Sequence, residues 1–520
     1  MKTSHSFIRL FLITFALGSF ALTPAVQAVN PPPDGGYPGG NTAEGQSALF
    51  GLTTGGYNTA VGLFALRANT TGSFNTGLGA GALVLNHGNE NTATGTAALL
   101  SNTTGSFNTA GGAFALFGNT AGHGNTAIGD DALRNNSAGF TNTAVGVEAL
   151  SSNITHNLNT AIGGGALAAN DADGNTAVGA NALQFNTTGN GNTATGLRAL
   201  RDNTTGAGNT ATGLQALELN NDGIRNTANG VYALNQNISG GGNTAIGYQA
   251  LVSSTADSNT AVGNDALVAD TTGGNNTAVG AGALFSNNLG GFNTALGAGA
   301  LSNSNGLGNI GIGALAGGNI MAASNVTCIG AGMLGANVSN TTWINNIYGI
   351  ATISGVTVPV IVSDAGQLGT IVSSERFKKD LVTMEKASEA ILSLRPVTFH
   401  YKSDVKETPQ FGLVAEEVAK VNAAFVVPDK EGKPYTVRYD AVNAMLLNGF
   451  LKEHKKVEKQ QATIGQLKSN AAKQDATISE LKKDVGVLTA QLKEQATQIQ
   501  KVSAQIEMGK RASRVVLNNP

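Results

Sequence analysis

The chain has 520 residues, of which 70 are glycine, while only 12 % are charged and 5 % are aromatic. A globular domain has about twice this charged fraction, and a disordered chain is more charged and less apolar than the 41 % hydrophobic content found here. The composition therefore favours an extended β-solenoid. The net charge of -2 gives no electrostatic basis for nucleic acid or an anionic membrane as a partner.

Residues 1–28 have the features of a secretory signal. Lys2 and Arg9 precede an apolar run over 10–22, and Val26-Gln27-Ala28 offers small residues at the -3 and -1 positions of a cleavage site. The run is too short for a typical spanning helix, although an uncleaved anchor is the alternative. We therefore expect a bacterial protein that is secreted or held at the cell surface. After signal removal and a linker at 29–40, we expect no membrane span.

Residues 41–335 consist of a repeat of 16 or 17 residues with the consensus N-T-A-x-G-x-x-A-L. Glycine recurs four residues after each opening asparagine, Ala-Leu seven and eight residues after it, and a turn such as Asn69 to Gly72 closes the unit. The opening asparagines are at positions 41, 58, 75, 91, 108, 125, 142, 159, 175, 192, 209, 226, 243, 259, 276, 293 and 309, with a degenerate copy from Asn325.

A unit this short cannot bury its own apolar face, so successive units must stack as coils of a parallel β-roll or solenoid. We expect glycine at a tight corner, Ala-Leu in a thin core, and hydrogen-bonded ladders of stacked asparagine and threonine. At ~4.8 Å per coil, some eighteen coils give a rod on the order of 85 Å. Periodicity does not decide whether Ala-Leu is a strand or a helical turn.

The repeats resemble the head repeats of trimeric YadA-like adhesins, whose N-S-x-A-x-G units form a left-handed parallel β-roll. They differ in unit length and in having threonine where those heads often have serine. The resemblance implies a β-roll and leaves the handedness open. A host or surface glycan or protein is the candidate ligand, and ladders with a purely structural role are the alternative. Calcium binding is disfavoured because it needs aspartate at a fixed phase, and an ice-binding threonine array is also disfavoured.

The period ends near residue 335. Residues 336–372 are predicted to form a β neck, with short strands over 344–353 and 356–362 and a turn at 366–369. From 373 onward the chain is charged and patterned like a globular domain. A series of motifs follows in order: S-S-E-R-F-K-K-D-L at 373–381, L-R-P-V at 394–397, F-H-Y-K at 399–402, F-G-L-V-A-E-E-V at 411–418 and V-R-Y-D at 437–440.

This ordered set resembles the intramolecular chaperone auto-processing domain of phage endosialidase tailspikes and of a membrane-bound myelin regulatory factor. The resemblance implies a small α+β domain over 373–448. In that family a Ser–Lys dyad cuts the chain immediately before the serine, which implies Ser373 as nucleophile, Lys378 as general base and Val372–Ser373 as the scissile bond. From the residues themselves we expect no metal and no cofactor. Cys328, the only cysteine, cannot form an intrachain disulfide.

The chemistry of this dyad sets two conditions. A serine hydroxyl needs a base, and lysine acts as one only when burial or nearby positive charge favours its neutral form; Arg376 could supply that charge. An offset of five residues puts two side chains on opposite faces of a strand, so a bend must bring them together. Ser374 and Lys379 form a second pair at the same spacing and remain the alternative register.

Residues 449–510 follow a heptad repeat that predicts an α-helical coiled coil, followed by a tail at 511–520. Isoleucine or valine at a with leucine at d favours a dimer by itself, so the expectation of a homotrimer rests on the two resemblances. Position a is occupied by Phe450, Val457, Ile464, Ala471, Ile478, Val485, Leu492, Ile499 and Ile506, and position d by Gln460, Leu467, Gln474, Leu481, Leu488, Gln495 and Val502.

Two functional hypotheses follow. In the first, the chain is a secreted, trimeric, adhesin-like fibre whose C-terminal chaperone drives trimerisation and then cleaves itself off, as a single-turnover serine peptidase. In the second, it is a structural adhesin or surface stalk with no enzymatic activity, and the C-terminal domain stays attached.

Overall fold

The computed structural model describes residues 37–348, 350–353, 357–363 and 366–512. The predicted signal at 1–28 lies outside the described residues, as do most of the predicted linker and residues 513–520 of the predicted tail. The described chain forms two compact units that divide between Ile353 and Ser354. The first unit holds the repeats, which we call the shaft, and the second holds the C-terminal elements.

The shaft is a parallel β-solenoid in which each coil contributes one three-residue strand to a single 19-stranded sheet. Each strand pairs in register with the strand one coil later, as Thr42 does with Thr59. The strands are β1 Thr42–Glu44, β2 Thr59–Val61, β3 Thr76–Leu78, β4 Thr92–Thr94, β5 Thr109–Gly111, β6 Thr126–Ile128, β7 Thr143–Val145, β8 Thr160–Ile162, β9 Thr176–Val178, β10 Thr193–Thr195, β11 Thr210–Thr212, β12 Thr227–Asn229, β13 Thr244–Ile246, β14 Thr260–Val262, β15 Thr277–Val279, β16 Thr294–Leu296, β17 Ile310–Ile312, β18 Thr327–Ile329 and β19 Thr342–Ile344.

The thin core of the shaft is built from the middle residue of each strand and from the Ala-Leu pair. Side chains alternate along a strand, so the middle residue points inward, as Ala60 does with no exposed surface. Ala65 and Leu66 are also fully buried, and the Leu66 N–H donates to the carbonyl of Ala82 in the next coil at 3.0 Å. The Ala-Leu segment is therefore a stacked turn rather than a strand. We call residues five to ten after each opening asparagine the turn wall.

The opening asparagines form the predicted ladder. Asn75 is fully buried and donates from its backbone N–H and its Nδ2 to Asn58 Oδ1, at 3.0 and 3.1 Å. Its Nδ2 also donates to the carbonyl of Gly88 at 2.9 Å. Because the amide both donates and accepts, each side chain satisfies a neighbour above and a neighbour below without water.

A second buried ladder occupies the segment that sequence analysis treats only as a turn. Asn136 Nδ2 donates to Asn119 Oδ1 at 2.8 Å and to the carbonyl of Gly139 at 3.0 Å. Asn153 in turn donates to Asn136 Oδ1 at 3.1 Å. The buried asparagines of this second ladder are Asn69, Asn86, Asn102, Asn119, Asn136, Asn153, Asn170, Asn186, Asn203, Asn220, Asn237 and Asn287, with Ser254, Asp270 and Ser304 at the equivalent position in three coils.

The C-terminal end of the shaft differs from the prediction. Val326, not Asn325, takes the ladder position of the degenerate coil, since the Val326 N–H donates to Asn309 Oδ1 at 2.8 Å. The sheet then continues to β19, beyond the expected shaft boundary at 335. Within β19, Trp343 packs against the core cluster that contains the buried Cys328. An aromatic ring thus covers the end of the stack.

The predicted neck strands over 344–353 and 356–362 are also corrected. Residue 344 is the last of β19, and the next strands are β20, Val360–Val362, and β21, Leu368–Thr370, which pair antiparallel. Gly366, with φ of 81°, lies in the turn between them, where the Gly366 N–H donates to the Ser363 carbonyl at 2.9 Å. The predicted turn at 366–369 therefore starts in the right place but runs into β21.

The second unit continues with short elements around a small core. They are 3-10 helices at Glu375–Phe377, Glu385–Ser393 and Ala423–Phe425, strands β22 Val397–Phe399, β23 Gln410–Gly412, β24 Val426–Pro428 and β25 Pro434–Val437, and helix α1 Ala415–Val421. Strands β22 and β23 pair antiparallel, as do β24 and β25. The core residues are Val418, Phe425, Val437 and Val442. A core of this size is small for an independently stable domain.

Helix α2 spans Tyr439–Ala512, or 74 residues, and contains the predicted heptads in one uninterrupted helix. Its first turns pack on the small domain, where Asn448 Nδ2 donates to the buried Ser388 Oγ at 2.8 Å. Farther along, the heptad residues are exposed, as Ile464 and Leu467 are at 51 % and 61 %. A long helix with an exposed apolar stripe is typical of helices that pack against another helix.

Candidate functional site: the Ser373–Lys378 turn

Ser373 and Lys378 lie on either side of a single 3-10 turn. The turn spans Glu375–Phe377, and its end is held by the Lys378 N–H, which donates to the Glu375 carbonyl at 2.9 Å. The bend reverses the alternation of an extended chain and brings Lys378 Nζ to 3.5 Å from Ser373 Oγ. This is the outer limit of a hydrogen bond between an amine and a hydroxyl.

All residues at the candidate cleavage junction are exposed in the single chain. Val372 is 55 % exposed, and Ser373 and Lys378 are also open to solvent. Within the described part of the chain, no hydrogen bond joins Ser374 to Lys379, so the turn favours the first register over the second. An open site supports nucleophile activation poorly because water stabilises the ammonium form of lysine.

Arg376, the predicted supporting charge, projects over the ring of Phe377, with its guanidinium carbon 4.7 Å from the ring centroid. A guanidinium at this distance makes a cation–π contact. Phe377 itself is 57 % exposed. The arginine and the aromatic ring therefore form one exposed side of the same turn that positions Lys378.

An ion pair between two of the motifs was not singled out by sequence analysis. Arg395 lies in the L-R-P-V motif and Glu417 in the F-G-L-V-A-E-E-V motif, and the Arg395 Nε donates to Glu417 Oε2 at 3.1 Å. A second bond from Nη2 to Oε1 makes the pair bidentate. The hydrogen bond from Arg395 lowers the pKa of Glu417 below its ordinary value. The sequence offered only one indication of this pair, namely that an arginine and a glutamate occur in two motifs of the same domain.

A further contact ties the start of helix α2 to the same domain. Tyr439 accepts a hydrogen bond at its hydroxyl from the Leu413 N–H at 3.0 Å. Leu413 follows β23, and Gly412 before it leaves no room for a side chain, since a Cβ there would lie 2.7 Å from the Tyr439 hydroxyl. The G-L and R-Y-D motifs therefore meet at the junction between the small domain and the long helix.

Comparison with known families identifies this segment. Residues 373–427 match the family model described as chaperone of endosialidase. The match covers 373–427 and does not extend into the shaft. The chaperone segment, as we now call residues 373–427, begins at Ser373 and contains the 3-10 turn, the Arg395–Glu417 pair and α1. The family is one of self-cleaving intramolecular chaperones. No curated protein and no solved structure matches the chain.

The chaperone segment and the parallel solenoid together fit a tailspike-like or fibre-like protein. The family suggests trimer assembly and an extracellular location. Of the helices in the described ranges, none is long and apolar enough to cross a membrane.

Proposed function

We propose that this chain is a secreted trimeric fibre whose C-terminal part, from Ser373 onward, assembles the trimer and then cleaves itself from the shaft. The observation that carries the proposal is the 3.5 Å approach of Lys378 Nζ to Ser373 Oγ, at the first residue of the chaperone segment. Ser373 is the proposed nucleophile, Lys378 the general base and Val372–Ser373 the bond that breaks.

The proposed reaction has two steps. Neutral Lys378 takes the hydroxyl proton of Ser373 as Oγ attacks the carbonyl carbon of Val372, and the proton then passes to the Ser373 nitrogen as the peptide C–N bond breaks. The product is an ester between the Val372 carbonyl and Ser373 Oγ. Water hydrolyses this ester, which releases the Val372 carboxylate and restores the Ser373 hydroxyl with a free amino group.

Association of the chains would supply the exclusion of water that the dyad needs and that the single chain does not provide. The turn is open to solvent, whereas a base of this kind needs a site from which water is removed. Exposed apolar side chains surround the small domain, including Phe411, 80 % exposed, and Leu381, 61 % exposed. Burial of these residues between copies would exclude water from the Ser373–Lys378 turn, so cleavage would follow trimerisation and not precede it.

This order explains why a chaperone lies at the C-terminal end of the shaft. Contacts between separate chains form slowly because the entropy of bringing the chains together opposes them. A long helix that associates first would hold three chains in register while their solenoids assemble. Cleavage at Ser373 would then remove the assembly device and leave the shaft without a simple route to refold.

The test compares purified wild-type protein with four variants on denaturing gels. Ser373→Ala and Lys378→Ala should each leave the chain intact, because one lacks the nucleophile and the other the base. Ser374→Ala and Lys379→Ala are the matched controls and should be cut like the wild type. If the second pair is required and the first is not, the register is wrong.

The second candidate is a non-cleaving structural adhesin or surface stalk. The exposure of Ser373 and Lys378 favours it, since a dyad of this kind needs a site from which water is removed. Under this reading, correctly folded trimers contain only uncut chain, and the shaft alone binds a host or surface glycan or protein.

A further inference from the structure

The outer face of the shaft sheet has a regular chemistry. The first residue of each strand is threonine except Ile310, and the middle residue points into the core. Because side chains alternate along a strand, the first and the third residue both point outward, away from the core. We call these third residues the outer strand row. Its aliphatic members are Val61, Leu78, Ile128, Val145, Ile162, Val178, Ile246, Val262, Val279, Leu296, Ile312, Ile329 and Ile344.

Members of the outer strand row are exposed in early, middle and late coils, while others, such as Val61 and Val262, are half-buried. Leu78 is 45 % exposed in an early coil, Ile162 is 41 % exposed in the middle and Leu296 is 49 % exposed in a late coil. Because the coils are in register, these side chains stack at adjacent levels in three runs, over β2–β3, β6–β9 and β13–β19, separated by coils that have threonine, glycine or asparagine at this position. The seven-residue run over β13–β19 forms the kind of exposed apolar patch that marks an interaction surface.

Charge is nearly absent from the same face. Within strands β1–β19, Glu44 in the first strand is the only charged residue. Two ion pairs of the shaft lie on the turn wall, where Arg134 meets Asp131 at 3.0 Å and Arg201 meets Glu218 at 2.6 Å. The turn wall thus has the charged surface of a solvated protein, and the sheet face does not.

We propose that the outer strand row is the surface by which copies of this chain pack against one another in the shaft. The inference rests on the proposed trimer and adds the face that forms it. The occupant is a second copy because the proposed trimer places parallel copies of this chain side by side, and the heptad residues of helix α2 are exposed as such a bundle needs. Parallel copies aligned by one helix present the same coil at the same level.

Symmetry explains why charge is excluded there. When identical coils face one another about an axis, a side chain beside that axis meets its own copies, so a charge there is opposed by the same charge. Valine, isoleucine and leucine meet without this penalty, and contact between them removes exposed apolar surface from water. Threonine in the flanking row can donate to and accept from its own copy.

A second exposed row of residues on the shaft includes charged side chains. The residue before each opening asparagine is also exposed, and this row starts with Tyr57 and Phe74, whose rings stack at 5.1 Å. It continues, however, with Glu90 and Arg225. In a symmetric parallel assembly these charges would face their own copies. This row therefore fits a surface that remains in water.

The test uses two leucines of one coil in the full-length chain. Leu78 belongs to the outer strand row and is 45 % exposed, whereas Leu85 lies on the turn wall and is 43 % exposed. Leu78→Cys and Leu85→Cys are each made with Cys328→Ala and oxidised under native conditions. Leu296→Cys and Phe285→Cys, at 49 % and 45 % exposure, repeat the pair in late coils. The size of each oligomer is measured by light scattering.

We expect the trimer to form in every variant, and disulfide-linked chain dimers to appear with Leu78→Cys and Leu296→Cys but not with Leu85→Cys or Phe285→Cys. The row cysteines should also lose reactivity toward a maleimide in the native trimer. If trimers form and the row cysteines stay unlinked and fully labelled, the sheet face is open, as a ligand surface would be, and this inference fails alone. A monomeric wild type would overturn both the inference and the proposed function.

Discussion

Ser254 Oγ donates a hydrogen bond of 2.7 Å to Asp270 Oδ2, and the two residues replace asparagine in successive coils of the second ladder. Asn287 Nδ2 donates to the other carboxyl oxygen at 3.1 Å. Burial raises the pKa of Asp270 to about 7, and hydrogen bonds from Ser254, Gly273 and Asn287 oppose this rise only in part. An amide position is thus occupied by a group that titrates near neutral pH.

We predict that Asp270 makes the shaft less stable as the pH rises from its ordinary pKa of 3.8 to its folded pKa of about 7. Its folded pKa lies above the unfolded value, so its protonated form stabilises the folded state at low pH, and this stability is lost as the pH rises through the folded pKa. Asp270→Asn should remove the loss, so its gain in melting temperature over the wild type should be largest at pH 7 and above and smaller at pH 5.

The control for this prediction is Asp257→Asn. Asp257 is exposed and accepts a hydrogen bond from the Gly241 N–H at 2.7 Å, which an asparagine oxygen also accepts. Its melting curve between pH 5 and pH 8 should follow the wild type. Equal pH dependence of Asp270→Asn and the wild type would contradict the assignment.

The second ladder should be as important for stability as the first. Asn136→Ala removes the donor to Asn119 Oδ1 and to the Gly139 carbonyl, and leaves both acceptors buried. Each unsatisfied buried group costs about 1–3 kcal/mol. The neighbouring Asn135 is exposed, and Asn135→Ala should be near neutral. Thermal unfolding of both variants measures the difference, and equal melting temperatures would show that the ladder contributes little.

The glycine corner can be tested with two adjacent residues. Gly163 has φ of 133°, and a Cβ there would lie 2.6 Å from the backbone of Gly179 in the next coil. Gly164 has no such φ, and its nearest contact would be 3.9 Å away. We predict that Gly163→Ala destabilises the shaft by more than about 1 kcal/mol, since this backbone region is essentially limited to glycine. Gly164→Ala should melt like the wild type.

Much of the shaft could be predicted because its repeat specifies it. Asparagine, glycine and Ala-Leu at fixed phase determined the stacking, the corner and the core, and the structure confirms all three. The second ladder was missed because N-T-T-G is also a common turn sequence, and only the three-dimensional stack shows that Asn69 is buried. The ladder position of Val326 was not predicted, because the preceding residue is an asparagine and the repeat pattern therefore favours Asn325 as the opening residue of the coil.

The site could be predicted only in part. The motif order identified the family of the chaperone segment, and the requirement for a bend between Ser373 and Lys378 is met by the 3-10 turn at Glu375–Phe377. The Arg395–Glu417 pair could not be predicted, because 22 residues separate its members and their approach depends on how β22 and α1 pack. Catalysis by the dyad stays a prediction, since burial between chains depends on the assembly.

Association through helix α2 should control cleavage. Leu481 is at a d position and is 56 % exposed in the single chain, and Leu481→Asp would place like charges together at the centre of the bundle. We predict loss of trimers and a large loss of cleaved chain. Lys483→Asp changes charge outside the a and d positions and should retain both. Sedimentation and gel analysis check this prediction, and full cleavage of a monomeric Leu481→Asp protein would contradict it.

The most direct test of the central claim is the intact mass of the purified, folded protein beside Ser373→Ala. Self-cleavage predicts two wild-type species, one that ends at Val372 and one that spans 373–520, and a single full-length species for the variant. Folded wild-type trimers that contain only the uncut chain would contradict the claim, as would a Ser373→Ala protein cut at the same bond.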